Sequence, residues 1–169
     1  TLMNERVSIG GQVSPRGSGI IHTALNAYEH SNRRGEAVAR DQLAQFWIEA
    51  EVNRLTNMRA SQLRAKGTPG PEGSVGKMAM AGLNQRLMAF VMELLGPDAM
   101  LYPGGYPMDR PTTAMDLSKP QKAFLRVQAN SIEGGTTNIM KNILSERVLG
   151  LPGEPRADKD VPWSEVPRS

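Results

Sequence analysis

Two short stretches carry the residue types that could do chemistry. The first is Asn130-Ser131-Ile132-Glu133-Gly134-Gly135-Thr136-Thr137-Asn138-Ile139. Its two glycines let the backbone turn tightly or approach a ligand closely. The hydroxyl-rich residues that follow suit a helix start, where unpaired N–H groups and the positive end of the helix dipole favour phosphate or pyrophosphate. The same residues also read as a glycine turn followed by a capped helix, with no ligand. The second stretch is Leu2-Met3-Asn4-Glu5-Arg6. An acid beside a base in an apolar setting can serve as a proton acceptor with a substrate clamp. It equally describes a solvated helix start with an acid near the positive dipole end.

Other candidates are blander. Arg33, Arg34, Arg54, Arg59 and Arg64 are scattered, and most helical arginines are solvated along their length. The 10 methionines suit gap-filling in a helical core. His22 and His30 have no evident ligand partner, so no metal site is expected. With no cysteine, the chain has no disulfide scaffold, thiolate metal site or cysteine nucleophile. A net charge of +3, evenly spread, does not argue for nucleic acid. No apolar run reaches the ~18 residues of a membrane span, and no basic-then-apolar leader opens the chain. A cytoplasmic location is the expectation.

The elements that would position these stretches are set by proline and glycine. Of 12 prolines, five fall between Pro97 and Pro120 and four between Pro152 and Pro167, which predicts loops or extended segments there. Leu43, Phe46, Trp47 and Ala50, then Val52, Leu55 and Met58, mark the apolar positions of a helix over residues 36–66. A second helix runs from Glu72 to Leu95 with Leu83, Leu87, Phe90, Val91 and Leu94 as its stripe, stopped by Gly96-Pro97. A third starts at Thr136 or Thr137, carries Ile139, Met140, Ile143 and Leu144, and ends before Gly150 and Pro152. Residues 1–30 predict a helix kinked or broken near Pro15, and 118–130 a short helical or turn segment. The tail 151–169 is expected to be extended unless Trp163 docks it. No strand alternation is sustained, so the expected class is all-α, an up-down helical bundle.

Several of these segments together resemble the C-terminal helical domain of acyl-CoA dehydrogenases, with the tail similar to actinobacterial members. The resemblance rests on Phe124-Leu125-Arg126, on Ala129 to Thr136, and on Asn142-Ile143-Leu144-Ser145-Glu146-Arg147-Val148-Leu149-Gly150-Leu151-Pro152. It is joined by the opening Leu2 to Val7, by Arg40-Asp41-Gln42-Leu43-Ala44-Gln45, and by Glu154 to Trp163 in the tail. It implies that residues 1–150 form that domain and 151–169 a C-terminal tail, with the family's N-terminal helical and middle β-domains absent. Thr1 in place of an initiating Met then reads as a cut end.

The resemblance also implies a reaction, the FAD-dependent α,β-dehydrogenation of an acyl-CoA thioester, as in fatty acid β-oxidation. Electrons would pass to an electron-transfer flavoprotein, and the assembly would be a homotetramer or a mixed tetramer. Family members place the catalytic Glu either directly before the Gly-Thr of the C-terminal motif or on the domain's first helix, before an Arg. Here Gly134 stands directly before Gly135-Thr136, with Glu133 one place early, whereas Glu5 precedes Arg6. Glu5 is therefore the implied base, with Glu133 the alternative. Arg6 and the Gly134 N–H would serve the substrate, and Gly135, Thr136, Thr137 and Asn138 the flavin. Two family stretches that reach a neighbouring subunit's flavin are altered. Ser31-Asn32-Arg33-Arg34-Gly35 replaces Arg-x-Thr-Phe-Gly, and Glu93-Leu94-Leu95-Gly96-Pro97 replaces Gln-x-x-Gly-Gly. A flavin-poor assembly subunit of a heteromeric enzyme is the alternative these departures leave open.

Overall fold

The computed structural model describes residues 14–68, 70–101, 119–153 and 161–166. Glu5 and Arg6, with the rest of the opening stretch, lie outside the described residues. The fold is helical, and no strand occurs among the described residues. Its helices are α1 (Ile20–His30), α2 (Ala37–Ala65), α3 (Glu72–Leu95), α4 (Pro120–Val127) and α5 (Thr137–Arg147). Short 3-10 turns follow α3 at Gly96–Met100 and α4 at Gln128–Ser131, and a third lies in the tail at Trp163–Glu165.

The first expected break is present. Ser18 closes a turn on the Pro15 carbonyl through both its N–H (3.2 Å) and its hydroxyl (2.7 Å). Gly17 and Gly19 then take φ of 75° and 78°, where a Cβ would be strained, and α1 begins only at Ile20.

Helices α2 and α3 are antiparallel, as their cross-contacts show. Arg59 meets Glu72 near one end, Glu49 meets Arg86 further along, and Phe46 meets Phe90 with ring centroids 5.6 Å apart. Helix α3 is the hub, packing against α1, α2, α4 and α5. Its Leu87, Met88, Phe90 and Val91 are each no more than 1% exposed. Burial on more than one side explains why this helix reads as apolar beyond a single stripe. Ile21 and Ala24 of α1, Leu43 and Phe46 of α2, and Ala123 and Val127 of α4 complete the core.

Three sequence expectations need correction. Pro120 does not lie in a loop but opens α4, where its missing N–H costs nothing because first-turn donors are unpaired in any case. The tail is not wholly extended, since Trp163–Glu165 forms a 3-10 turn closed by Glu165 N–H on the Pro162 carbonyl. Val52 and Leu55, marked with Leu43 and Phe46 as apolar positions of one helix, do not share their burial and are 58% and 50% exposed. The part of α2 that faces α3 there carries Asn53, Asn57 and Ala60 instead, and Asn57 lies against Gly76 of α3.

Candidate functional site

The glycine turn sits between α4 and α5 and is fastened to α3 along its length. Lys77 Nζ donates to the Gly135 carbonyl at 2.6 Å. One helical stretch further along α3, Asn84 Nδ2 donates to Asn130 Oδ1 at 3.2 Å, and Gln85 Nε2 reaches Ser131 Oγ at 3.2 Å. Lys77 and Asn84 are seven residues apart, two turns, so they share a face of α3. That face holds the turn at both ends.

Gly134 and Gly135 take φ of 62° and 102°. Both values lie where only glycine is at ease, so this chain reversal depends on the Gly-Gly pair. The chain then enters α5 with Thr136 as N-cap, whose Oγ1 accepts the Ile139 N–H at 3.2 Å. The N–H groups of Thr137 and Asn138, at the first two helical positions, have no acceptor within the helix by its geometry. Thr137 Oγ1 approaches the Ser131 carbonyl at 3.5 Å, and Asn138 is exposed.

Glu133 is held on the α4 side of the turn. Arg126 donates to both of its oxygens, Nη1 to Oε1 at 3.1 Å and Nη2 to Oε2 at 2.7 Å. Asn130 Nδ2 adds a third bond to Oε1 at 2.8 Å. These donors, Arg126 first, hold the Glu133 carboxyl below the usual carboxylate range, against the opposing effect of partial burial; Asn130 and the positive charge of Lys77 act in the same direction as Arg126. A general base works best with a pKa near the working pH and a free lone pair. Glu133 instead carries three donors and a lowered pKa.

The structure thus brings Glu133, Gly134, Gly135, Thr136 and Thr137 together in one turn, with Asn138 at its edge. Lys77, Asn84, Gln85, Arg126 and Asn130 position that turn. Of these, sequence reasoning singled out only Asn130, as part of the glycine stretch, and gave Lys77, Asn84, Gln85 and Arg126 no role in the site. The available signal was the seven-residue spacing of Lys77 and Asn84, which puts two polar side chains on one face of α3. At the Arg33 stretch between α1 and α2, the guanidinium is engaged locally, donating to Glu36 through Nε at 2.6 Å and Nη2 at 3.0 Å. Among the described residues no cluster of metal-ligating side chains occurs, and no helix is long and apolar enough to cross a membrane.

The turn's donors suit a cofactor rich in phosphate and hydroxyl oxygens. Two first-turn N–H groups, a helix N-terminus and the Lys77 ammonium all lie at one place. FAD has that chemistry, and Gly135, Thr136, Thr137 and Asn138 are the residues that would meet it.

The sequence pattern of the family described as acyl-CoA dehydrogenase, C-terminal domain, matches residues 1–149. Among curated proteins, the chain is 28% identical over 147 residues to the acyl-CoA dehydrogenase IpdE1 of Mycobacterium tuberculosis, covering 84% of this chain and 35% of that protein. It is 27% identical over 159 residues to the acyl-CoA dehydrogenase IpdE1 of Mycolicibacterium smegmatis, covering 88% of this chain and 37% of that protein. The chain therefore spans about a third of the length of these relatives. No solved structure matches significantly. With a family pattern that spans residues 1–149 and a helical fold to match, the chain belongs to the acyl-CoA dehydrogenase family, as its C-terminal domain.

Proposed function

We propose that this domain completes the active site of an FAD-dependent acyl-CoA dehydrogenase whose N-terminal helical and middle β-domains lie outside the present chain. Glu5 is the base that takes the α-proton of the acyl-CoA thioester, and Arg6 contacts the substrate or orients that base. The Gly134 N–H polarises the thioester carbonyl, stabilising the charge that develops on oxygen as the proton leaves. FAD, held by Gly135, Thr136, Thr137 and Asn138, supplies the acceptor for the β-hydride. An electron-transfer flavoprotein would then take the electrons.

The single observation that carries this reading is the state of Glu133. Its two oxygens accept from Arg126 and Asn130, and its pKa is held low. A carboxylate so engaged fits a structural role, anchoring the turn from which Gly134 and Gly135 act. It supports Glu5, beside Arg6, as the base, with Glu133 the alternative. The test is single-turnover flavin bleaching by acyl-CoA thioesters in the full-length protein. Glu5→Gln is expected to abolish bleaching and Glu133→Gln to spare most of it, and the reverse pattern sinks the assignment.

A second reading, a flavin-poor assembly subunit of a heteromeric enzyme, is favoured by Arg33. Its guanidinium is committed to Glu36 in the stretch where the family's flavin-contacting loop is altered. Purified full-length protein that stays colourless with added FAD and every candidate partner subunit would decide for this second reading.

A further inference from the structure

The glycine turn is fastened on both sides, and by different chemistry. On the α4 side, Arg126 and Asn130 hold the Glu133 carboxylate. On the far side, Lys77 Nζ of α3 donates to the Gly135 carbonyl at 2.6 Å. The Gly134 N–H lies between these two fixed points along the chain. Gly134 and Gly135, at φ of 62° and 102°, have no side chains to hold their peptide planes, and glycine has more backbone freedom than any other residue. The Lys77 bond fixes the peptide between Gly135 and Thr136.

Fastening alone does not call for a charge. Further along the same helix, neutral amides suffice: Asn84 Nδ2 donates to Asn130 Oδ1 and Gln85 Nε2 to Ser131 Oγ, both at 3.2 Å. At Gly135 the tether is an ammonium, and Gly135 stands directly before the N-cap of α5, at the positive end of that helix dipole. A cation is disfavoured there and an anion favoured. The charge is felt across the turn, since Lys77 is among the causes that hold the Glu133 carboxyl low. A hydrogen bond from an ionised donor is stronger than a neutral one, and it polarises the peptide group it binds. In a trans peptide the N–H of Thr136 points opposite to the Gly135 carbonyl, so Lys77 sits behind that donor.

We propose that Lys77 is a positioning residue of the dehydrogenation: it locks the Gly134-Gly135 turn and adds positive potential behind it, so that the turn is set for the negative charge that develops on the thioester oxygen. Lys77 acts through the Gly135 peptide rather than by touching the substrate. The inference rests on the dehydrogenase reading above, and it is separate from the question of which carboxylate is the base.

The test uses the full-length protein loaded with FAD. Lys77→Met keeps the bulk but removes donor and charge, Lys77→Gln keeps a neutral donor, and Lys77→Arg keeps both. Single-turnover flavin bleaching by an acyl-CoA thioester is expected to slow at least about tenfold in Lys77→Met, with KM changed less than about threefold, because an interaction made in the transition state falls on kcat. Lys77→Arg should recover most of the rate and Lys77→Gln only part of it. The second readout needs no turnover. The carbonyl stretch of a bound α,β-unsaturated acyl-CoA, isotope-labelled at the thioester, is measured by infrared difference spectroscopy. It should move toward the free thioester's frequency in Lys77→Met and return in Lys77→Arg. Urea unfolding reports whether each variant folds, and Lys77→Gln carries the comparison if Lys77→Met does not. An unchanged rate and stretch in these variants overturn the proposal and leave the dehydrogenase reading standing. So does a slowing with an unmoved stretch, which makes Lys77 a tether only. A wild type that neither holds flavin nor bleaches with any acyl-CoA ends the dehydrogenase reading and this inference with it.

Discussion

Arg126 and Glu133, seven residues apart, form a two-pronged pair in which each carboxylate oxygen accepts one guanidinium N–H, at 3.1 and 2.7 Å. The pair ties α4 to the turn that reverses the chain into α5. Through Asn130 the tie continues to Asn84 of α3, so the carboxylate is linked directly to α4 and, by way of Asn130, to α3.

Breaking that pair should change titration more than stability. In Arg126→Ala the Glu133 pKa is expected to rise toward its ordinary value, because Arg126 is the main cause of its depression. The pair is partly exposed, so the loss of stability near neutral pH should be about 1 kcal/mol or less. The sign follows from the depressed pKa. The contribution is complete above the unfolded value of about 4.3 and is lost as pH falls through the lower folded value. Carboxyl NMR titration of Glu133 and urea unfolding across pH 3–6 check both statements, and a wild-type Glu133 titrating at or above the ordinary value would contradict them.

Thr136→Ala removes the side-chain cap of α5, leaving the Ile139 N–H without its acceptor. The expected cost is about 1 kcal/mol, and Thr136→Ser should recover most of it. If Thr136 also meets the flavin, as proposed, the Ala variant of the full-length protein will bind FAD more weakly than the Ser variant, which fluorescence titration measures.

Gly17 and Gly19 share a positive φ but differ in surroundings. A Cβ at Gly17 would lie 2.9 Å from the Trp47 ring, whereas nothing lies within 4 Å of one at Gly19. Gly19→Ala should therefore cost only the backbone strain, about 1–3 kcal/mol at φ 78°, ψ −146°. Gly17→Ala should cost more and shift the emission of Trp47, which carries Arg16 over its ring at 5.7 Å. Equal destabilisation by the two, with unchanged fluorescence, would show that Trp47 yields freely.

Leu87 and Val52 should contrast in their effect on stability, at 1% and 58% exposed. Leu87→Ala in the hub helix is expected to cost about 2–5 kcal/mol. Val52→Ala should change the unfolding of a dissociated chain by about 0.5 kcal/mol at most. Chemical denaturation at low protein concentration separates the two, and a large loss for Val52→Ala would place that residue in a core contact after all.

Much of the fold was legible in the sequence because its signals are local. Apolar recurrence fixed α2 and α3, and their observed bounds, Ala37–Ala65 and Glu72–Leu95, follow the predicted stops at Gly67 and Gly96. Thr136 before Thr137-Asn138-Ile139 marked a helix start that the cap hydrogen bond makes explicit. Spacing marked Val52 and Leu55 as apolar positions of a helix without showing their exposure, since periodicity tells which residues share a face but not what that face meets.

What only the tertiary structure decided was the company of each residue. Nothing local couples Lys77 to Gly135 or Asn84 to Asn130, pairs separated by 58 and 46 residues. They meet because α3 is buried on several sides and the α4–α5 turn folds back along it. The bond from Arg126 to Glu133 likewise depends on where the chain turns before Gly134 and Gly135. The sequence by itself determined the helices, the caps and the residue types at the turn, since each follows from a few neighbouring residues. The tertiary structure decided which carboxylate is occupied and which face of α2 is left uncovered, because both depend on long-range packing around α3.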